Sequence, residues 1–253
     1  MKFDTFIFDL DDTLSASKAP ITEEMSKVLC ELLSVANVCI ITGGTLHQIN
    51  IQVVENLSCT KHFHNLYLQP TSGGSLHTWN SEKSTWEEQY NSNLPAGTFE
   101  KVQEVFARTL PKYADILDIP KKLYGPQLQD RGSQISFSAL GQNAPSNLKK
   151  VWDPDREKRL TVLDDIKKAL PELGVRIGGG TTIDISLKGR DKAYGIEKLY
   201  EHTGNSIKKG IFIGDSMFPG GNDYAATKTG IHTEATEGHE TTLTIIKKHL
   251  AEK

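Results

Sequence analysis

The chain begins MKFDTFIFDLDDTLSAS, and FIFDLDDTLS sets three carboxylates, Asp9, Asp11 and Asp12, directly behind a run of bulky apolar residues. Residues 5–10 are β-branched and aromatic with almost no polar alternation, as expected of a central parallel strand covered by helices on both faces. In open α/β sheets ligands sit outside the carboxyl ends of such strands, so Asp9 and Asp11 are expected at a solvent-filled crevice. Carboxylates crowded there repel one another. They are tolerated when a divalent cation neutralises them, or when one is a nucleophile while a neighbour carries a proton. For an isolated Asp-x-Asp pair, a solvated acidic turn is the plain alternative.

The rest of the first third continues the alternation of strands and helices. Thr22, followed by Glu23 and Glu24, reads as an N-cap with acids in the first turn, and Met25, Val28, Leu29 and Leu32 form the apolar stripe of that helix. A second strand over 37–41 ends at Thr42-Gly43-Gly44, a second helix carries Leu46, Ile49 and Val53, and a third strand covers 66–68. From about residue 75 the pattern turns to polar alternation: a hairpin around residues 80–83, a helix with Phe99, Val102, Val105 and Phe106, a strand over 134–140, a helix over 155–170 with Leu160, Leu163 and Ile166, and a strand over 181–187. The parallel rhythm returns with a helix over 191–202, a strand over 210–214, elements near Tyr224 and Ile231, and a terminal helix. The expected fold is α/β: a doubly wound parallel-sheet core with an inserted α+β module on an antiparallel sheet. The expected boundaries are 1–80 and 188–253 for the core and 81–187 for the insert.

At 253 residues the chain has room for both units. With 24% charged residues and a formal charge of -3, it has no global attraction to nucleic acid or to anionic lipid. Cys30, Cys39 and Cys59 are unevenly spaced, which argues against a disulfide framework and for a reducing cytosol. No apolar run approaches the about 18 residues of a membrane span. A cytoplasmic protein without an anchor is expected.

Four groups of residues carry chemistry. Asp9 and Asp11, two apart on a strand, would share a face, so that one could attack phosphorus while the other donates a proton to the departing oxygen and later takes one from water. Asp215 ends the apolar strand 210–214 and would complete an oxygen shell for Mg²⁺, with Asn222 and Asp223 after a glycine turn orienting the cation's ligands. Thr42, Gly43 and Gly44 would grip a phosphate oxygen through a hydroxyl and backbone N–H groups. Helix capping is the structural alternative there. Lys192, where the core resumes, could neutralise nucleophile and phosphoryl group together.

In this order, Asp9-x-Asp11-x-Thr13, Thr42, Lys192 and Asp215 with Asn222-Asp223 resemble the four motifs of the haloacid dehalogenase superfamily. The position of the insert resembles the subgroup with an α+β cap, type C2b. The stretches from Gly214-Asp215 to Asn222-Asp223 and from Gly178-Gly179 through Asp184 to Lys192 are most similar to eukaryotic-type phosphomannomutases. The resemblance implies Mg²⁺ held by Asp9, the Asp11 carbonyl and Asp215, and a cap that contacts a phosphorylated sugar through Arg131, Thr182 and Asp184. Where the family carries further cap arginines, this chain has Gln142 and, near the third position, Lys149. Loss of the arginine fork weakens a distal-phosphate site and favours a phosphatase acting on a sugar phosphate or similar small metabolite. The alternative is a phosphomannomutase interconverting mannose 6-phosphate and mannose 1-phosphate. A homodimer is compatible with either. A receiver module also places acids after a first strand, but it is much shorter and has no place for the Gly-Gly-Asn-Asp stretch.

Overall fold

The computed structural model describes residues 2–252. The core unit begins with strand β1 (Thr5–Phe8), helix α1 (Glu23–Leu33), β2 (Asn37–Ile41), α2 (Leu46–Gln52), β3 (Leu66–Gln69) and the hairpin β4 (Ser75–Asn80) and β5 (Thr85–Asn91). The inserted unit holds α3 (Thr98–Thr109), α4 (Ala114–Leu117), β6 (Leu128–Asp130), β7 (Gln134–Ser138), α5 (Ser146–Trp152), α6 (Glu157–Ala169), β8 (Leu173–Ile177) and β9 (Thr182–Leu187). The core resumes with α7 (Lys192–Thr203), β10 (Gly210–Gly214), β11 (His232–Ala235) and α8 (His239–Ala251). By compactness the units are residues 1–91 with 191–253, and residues 92–190.

The seven core strands lie in the order β11-β10-β1-β2-β3-β4-β5. Pairing is parallel from β11 to β3 and antiparallel across the hairpin. From β1 the chain builds outward through β2 and β3, then returns to add β10 and β11 on the other side, so the winding reverses between β1 and β10. Period-two alternation divides the core strands between two apolar layers. Phe6, Phe8, Val38, Ile40, Leu66, Leu68, Ile211 and Ile213 pack with α1, α2 and α8. Ile7, Cys39, Ile41 and Phe212 pack with Ile196, Leu199 and Tyr200 of α7.

Local sequence fixes the helix starts. Thr22 Oγ1 accepts from Met25 N at 3.1 Å. Thr45 and Gln48 form a reciprocal capping box on α2. Asp191 caps α7, accepting from Ala193 N at 3.0 Å and Tyr194 N at 3.3 Å.

Three expectations change. The hairpin around residues 80–83 forms, but β4 pairs with β3 and so extends the core sheet. Residues 81–91 therefore lie in the core unit, and the insert runs on to Arg190. Antiparallel alternation looks the same in sequence whichever sheet it joins. Cys30 and Cys59, expected to be unbridged, form a disulfide that ties α1 to the segment after α2, while Cys39 is free and buried. Their separation of 29 residues hides the proximity, which arises because Leu29 and Leu57 pack into one core layer. The cysteine argument for a reducing compartment therefore falls. In α6 the buried face is Arg159, Val162, Leu163 and Ile166, and Leu160 is 52% exposed. An arginine takes that inward position because Asp153 Oδ2 accepts from its Nε at 2.7 Å, inside the unit. No helix among the described residues is long and apolar enough to cross a membrane.

The insert's strands lie in the order β6-β7-β9-β8, all antiparallel. One face presents Ile135, Phe137, Val175, Ile177, Ile183 and Ile185 to α3 and α6. The other is polar.

One close approach seats α7. Gly73 has φ +84°, a conformation that favours glycine, and a Cβ on it would lie 2.4 Å from the Cα of Gly195. Gln69 Nε2 donates to the Gly195 carbonyl at 2.7 Å, and Tyr90 Oη donates to the Gly73 carbonyl at 2.8 Å. A Cβ on Gly195 would meet Ile41 Cδ1 at 2.6 Å and Gly73 Cα at 2.8 Å. Glycine to alanine inside a helix usually stabilises by about 1 kcal/mol. Gly195→Ala should instead destabilise by roughly 1–3 kcal/mol through overpacking. Urea unfolding of the variant checks this, and an increase in stability would show that α7 is not wedged against the turn after β3.

Candidate active site

The reversal of winding between β1 and β10 opens a crevice at their carboxyl ends, and both strands deliver an aspartate there. Asp9 follows β1 directly, with its N–H bonded to the Ile213 carbonyl of β10 at 3.0 Å. Asp215 follows β10. Between them Lys192, the first residue of α7 and 1% exposed, donates from Nζ to Asp9 Oδ1 and to Asp223 Oδ1, each at 2.5 Å. Asp223 is fully buried, and its second oxygen accepts from Ser216 N at 3.0 Å. A Cβ on Gly214 would lie 2.4 Å from Asp223 Oδ2, so glycine at that point admits the carboxylate. Thr13 Oγ1 donates to Asp9 Oδ2 at 3.3 Å, and Ser216 Oγ to Asp215 Oδ2 at 3.2 Å.

Asp9, Asp215 and Asp223 each offer an oxygen within 4.8 Å of the others. Burial raises the Asp9 carboxyl well above the ordinary aspartate range; Lys192 opposes this, while Asp223 and Asp215 add to it. Burial and then Asp223 push Asp215 up to about 6, against the pull of Lys192. Burial works to lower Lys192, but the attraction of Asp223 and Asp9 outweighs it, so the ammonium stays charged. Fully ionised, three carboxylates and one ammonium leave an excess negative charge equal to one divalent cation. An all-oxygen donor set of this charge fits Mg²⁺, which takes a few carboxylates and keeps several waters.

The remaining expected residues fall in different places. Asp223, expected only to orient ligands, joins the carboxylate group directly through Lys192. Asn222 precedes it, half-buried on the same loop. Asp9 and Asp11 both lie beyond the end of β1 at Phe8, and after Asp9 the chain turns. The Leu10 carbonyl accepts from Thr13, Leu14 and Ser15, Asp12 takes φ +59°, and Asp11 Oδ1 accepts from Lys18 N at 2.6 Å. Thr42 is buried at the end of β2, its N–H bonded to the Gln69 carbonyl at 3.1 Å. Gly44 N donates to Thr42 Oγ1 at 3.1 Å, so one N–H expected to grip phosphate is used inside the turn that Gly43 completes.

In the insert, Asp184 projects onto the polar sheet face and accepts from Ser136 Oγ at 2.7 Å. Burial raises its carboxyl, opposed by Arg131, Ser136, Arg176 and Arg159. Arg131 donates to Gln129 Oε1 at 2.9 Å and to Gln142 Oε1 at 3.0 Å. Gln142, noted in sequence as a missing arginine, is thus one of the partners that hold Arg131. Thr182 donates its N–H to the Gly179 carbonyl at 2.9 Å. Sequence reasoning missed Arg159. The signal for Arg159 was present, since it stands at helical spacing with Val162, Leu163 and Ile166.

A family model for eukaryotic phosphomannomutase matches residues 25–251. A phosphomannomutase of Encephalitozoon cuniculi is 31% identical over 225 residues, 87% of this chain and 82% of that protein. Among solved structures, a mutant IMP-nucleotidase of Plasmodium falciparum with IMP bound superposes with a TM-score of 0.74 at 18% identity, covering 98% of this chain and 67% of that one. A haloacid dehalogenase-like hydrolase of Bacteroides thetaiotaomicron gives 0.63 at 15% identity, covering 98% and 99%. Likeness at such identity concerns the fold, a haloacid dehalogenase-type core with an antiparallel insert.

The raised carboxyls carry a pH signature. In metal-free protein, the stability due to a protonated Asp215 is complete below its unfolded range near about 4 and is lost as pH rises through its folded value of about 6. A cation must displace that proton, so apparent Mg²⁺ affinity should weaken about 10-fold per pH unit below about 6 for each proton displaced. The rise in melting temperature at fixed Mg²⁺ should be larger at pH 7 than at pH 5. Equal rises would mean that these carboxylates do not hold the cation.

Proposed function

The chain belongs to the eukaryotic phosphomannomutase family, and on that premise we propose that it is a Mg²⁺-dependent phosphotransferase that interconverts mannose 1-phosphate and mannose 6-phosphate through a phosphate carried on Asp9. The observation that carries this reading is the Lys192 ammonium buried between Asp9 and Asp223, beside Asp215 at the mouth of the sheet. An ammonium in that position restrains Asp9 and lowers the cost of bringing a phosphoryl group to it.

Asp9 Oδ attacks phosphorus, forming the acyl phosphate bond as the bond to the sugar oxygen breaks. Thr13 Oγ1 holds the second Asp9 oxygen at 3.3 Å and limits its rotation. Asp11 donates a proton to the departing oxygen and takes one from the incoming hydroxyl. That role requires its carboxyl to exchange the Lys18 N–H for substrate. Thr42 with Gly43 and Gly44 contacts the phosphoryl oxygens. Asp223 keeps Lys192 in place, with Asn222 beside it in the loop, and Ser216 N anchors Asp223 in turn. Asp9, the Asp11 carbonyl and Asp215 are the groups that would hold Mg²⁺, which when bound neutralises negative charge among carboxylates and phosphate. Arg131, Thr182 and Asp184 of the insert take the sugar.

Hydrolysis of the same aspartyl phosphate is a second reading, favoured by one observation. Gln142 Nε2 donates to the carbonyls of Gln127 at 3.0 Å and Ser136 at 2.9 Å, and Lys149 Nζ donates to the Gln142 carbonyl at 3.2 Å. These polar groups are engaged with the insert itself, and a mutase must hold its intermediate long enough for a hydroxyl to attack ahead of water. Supplying mannose 1-phosphate, catalytic mannose 1,6-bisphosphate and Mg²⁺ distinguishes the outcomes. Mannose 6-phosphate without free mannose is expected. Free mannose with inorganic phosphate would make the protein a phosphatase, and no turnover of either kind would remove mannose phosphates as substrates.

A further inference from the structure

Three consecutive residues after β3 take left-handed backbone. Thr71 has φ +51°, Ser72 +59° and Gly73 +84°. Glycine accepts such angles freely, but a residue with a Cβ is strained there, and a β-branched one most of all. Two hydrogen bonds hold the strained pair. Thr71 N donates to the Gly44 carbonyl at 2.8 Å, and Ser72 N donates to the Thr42 carbonyl at 2.7 Å. The segment is thus a strap along the turn after β2, and it takes up two carbonyl oxygens of that turn which would repel a phosphate.

The next residue ties the strap to α7. A Cβ on Gly73 would lie 2.4 Å from the Gly195 Cα, and α7 starts three residues before Gly195 with Lys192. Ser72 therefore stands where the turn carrying Thr42 and the helix carrying Lys192 are joined. Strands β1, β2 and β3 are parallel neighbours, so their carboxyl ends share one edge of the sheet. Asp9 follows β1, Thr42 follows β2 and the strap follows β3, which brings Ser72 within about two strand spacings of Asp9, roughly 10 Å.

The geometry points to Ser72 as a further phosphate-contacting residue, its Oγ donating to an oxygen of the phosphoryl group that Thr42 and Lys192 flank. This rests on the phosphotransfer reading of the Asp9 site and adds a residue to it. Ser72 is half-buried, and its Oγ makes no hydrogen bond among the described residues. A hydroxyl there has a proton to give and rotates to suit its acceptor. Left-handed backbone at non-glycine residues persists where surrounding bonds over-determine it, and it gathers at functional sites. Glycine at position 72 would satisfy the backbone without strain, so the serine supplies something that glycine lacks. The competing explanation is that only the two N–H bonds of the strap matter and the hydroxyl is incidental.

Calorimetry with orthovanadate, a phosphate analogue, on the full chain at saturating Mg²⁺ separates the two. Ser72→Gly should weaken vanadate binding about 10- to 100-fold, the loss of one hydrogen bond to a charged group. The value of kcat/KM for mannose 1-phosphate should fall by a similar factor. The melting temperature of this variant should not drop, because glycine accepts the left-handed backbone, and its rise with Mg²⁺ should match that of the wild type. Ser72→Asn, which tolerates the same backbone and keeps a donor, should recover part of the affinity. Unaltered vanadate binding in Ser72→Gly, or a lowered melting temperature together with a lost Mg²⁺ response, would overturn the inference in favour of the strap alone. Wild-type protein that binds no vanadate would overturn it outright. Wild-type protein that binds vanadate but turns over no mannose phosphate would contradict the mutase reading and leave the comparison of variants intact.

Discussion

One ammonium group holds the core's chemistry together. Lys192 reaches back 183 residues to Asp9 and forward 31 to Asp223, and both contacts are buried. Removing one member of such a group leaves an uncompensated buried charge, at a cost of roughly 3–5 kcal/mol. Much of the core can be understood as what keeps that nitrogen in position. Asp191 starts α7 one residue earlier, the Gly73–Gly195 contact sets the depth of the helix, and Gly214 leaves room for Asp223. The winding of the sheet brings β1 beside β10, so the first strand and a strand near residue 210 present their acids at one point.

The inserted unit obeys the same rule with different means: charge enters its interior only where partners are fixed. Arg159 lies on the apolar side of α6, yet its guanidinium donates to Asp153 and to the carbonyls of Gly178, Gly179 and Thr182. It thereby shapes the turn between β8 and β9 from which Thr182 and Asp184 follow. On the opposite face Asp184 accepts from Ser136, and the charges of nearby arginines oppose the effect of its burial. The packed side stabilises the unit, and the polar side carries the residues proposed for the sugar.

Sequence alone disclosed the parts in which one local pattern has one structural meaning. Unbroken apolar strands at 5–8 and 210–214 had to be central, and the acids that end them had to face a crevice. Thr22 announced its helix by capping chemistry. What stayed hidden depends on partners distant in the chain. The hairpin gave no sign of which sheet it would join, and Cys30 and Cys59 met only through packing of α1. Arg159 went unnoticed because its partner Asp153 is outside the helix. The alternation of β1 was extended too far, since nothing local marks the turn at Leu10 that ends the strand before Asp11.

The central claim is that Asp9 carries the phosphoryl group. Protein mixed with mannose 1,6-bisphosphate and Mg²⁺, quenched in acid, digested and analysed by mass spectrometry, tests it directly. The account predicts phosphate on the peptide bearing Asp9, and neither phosphate nor turnover in Asp9→Asn. Phosphate on another residue, or sustained turnover by Asp9→Asn, would contradict it.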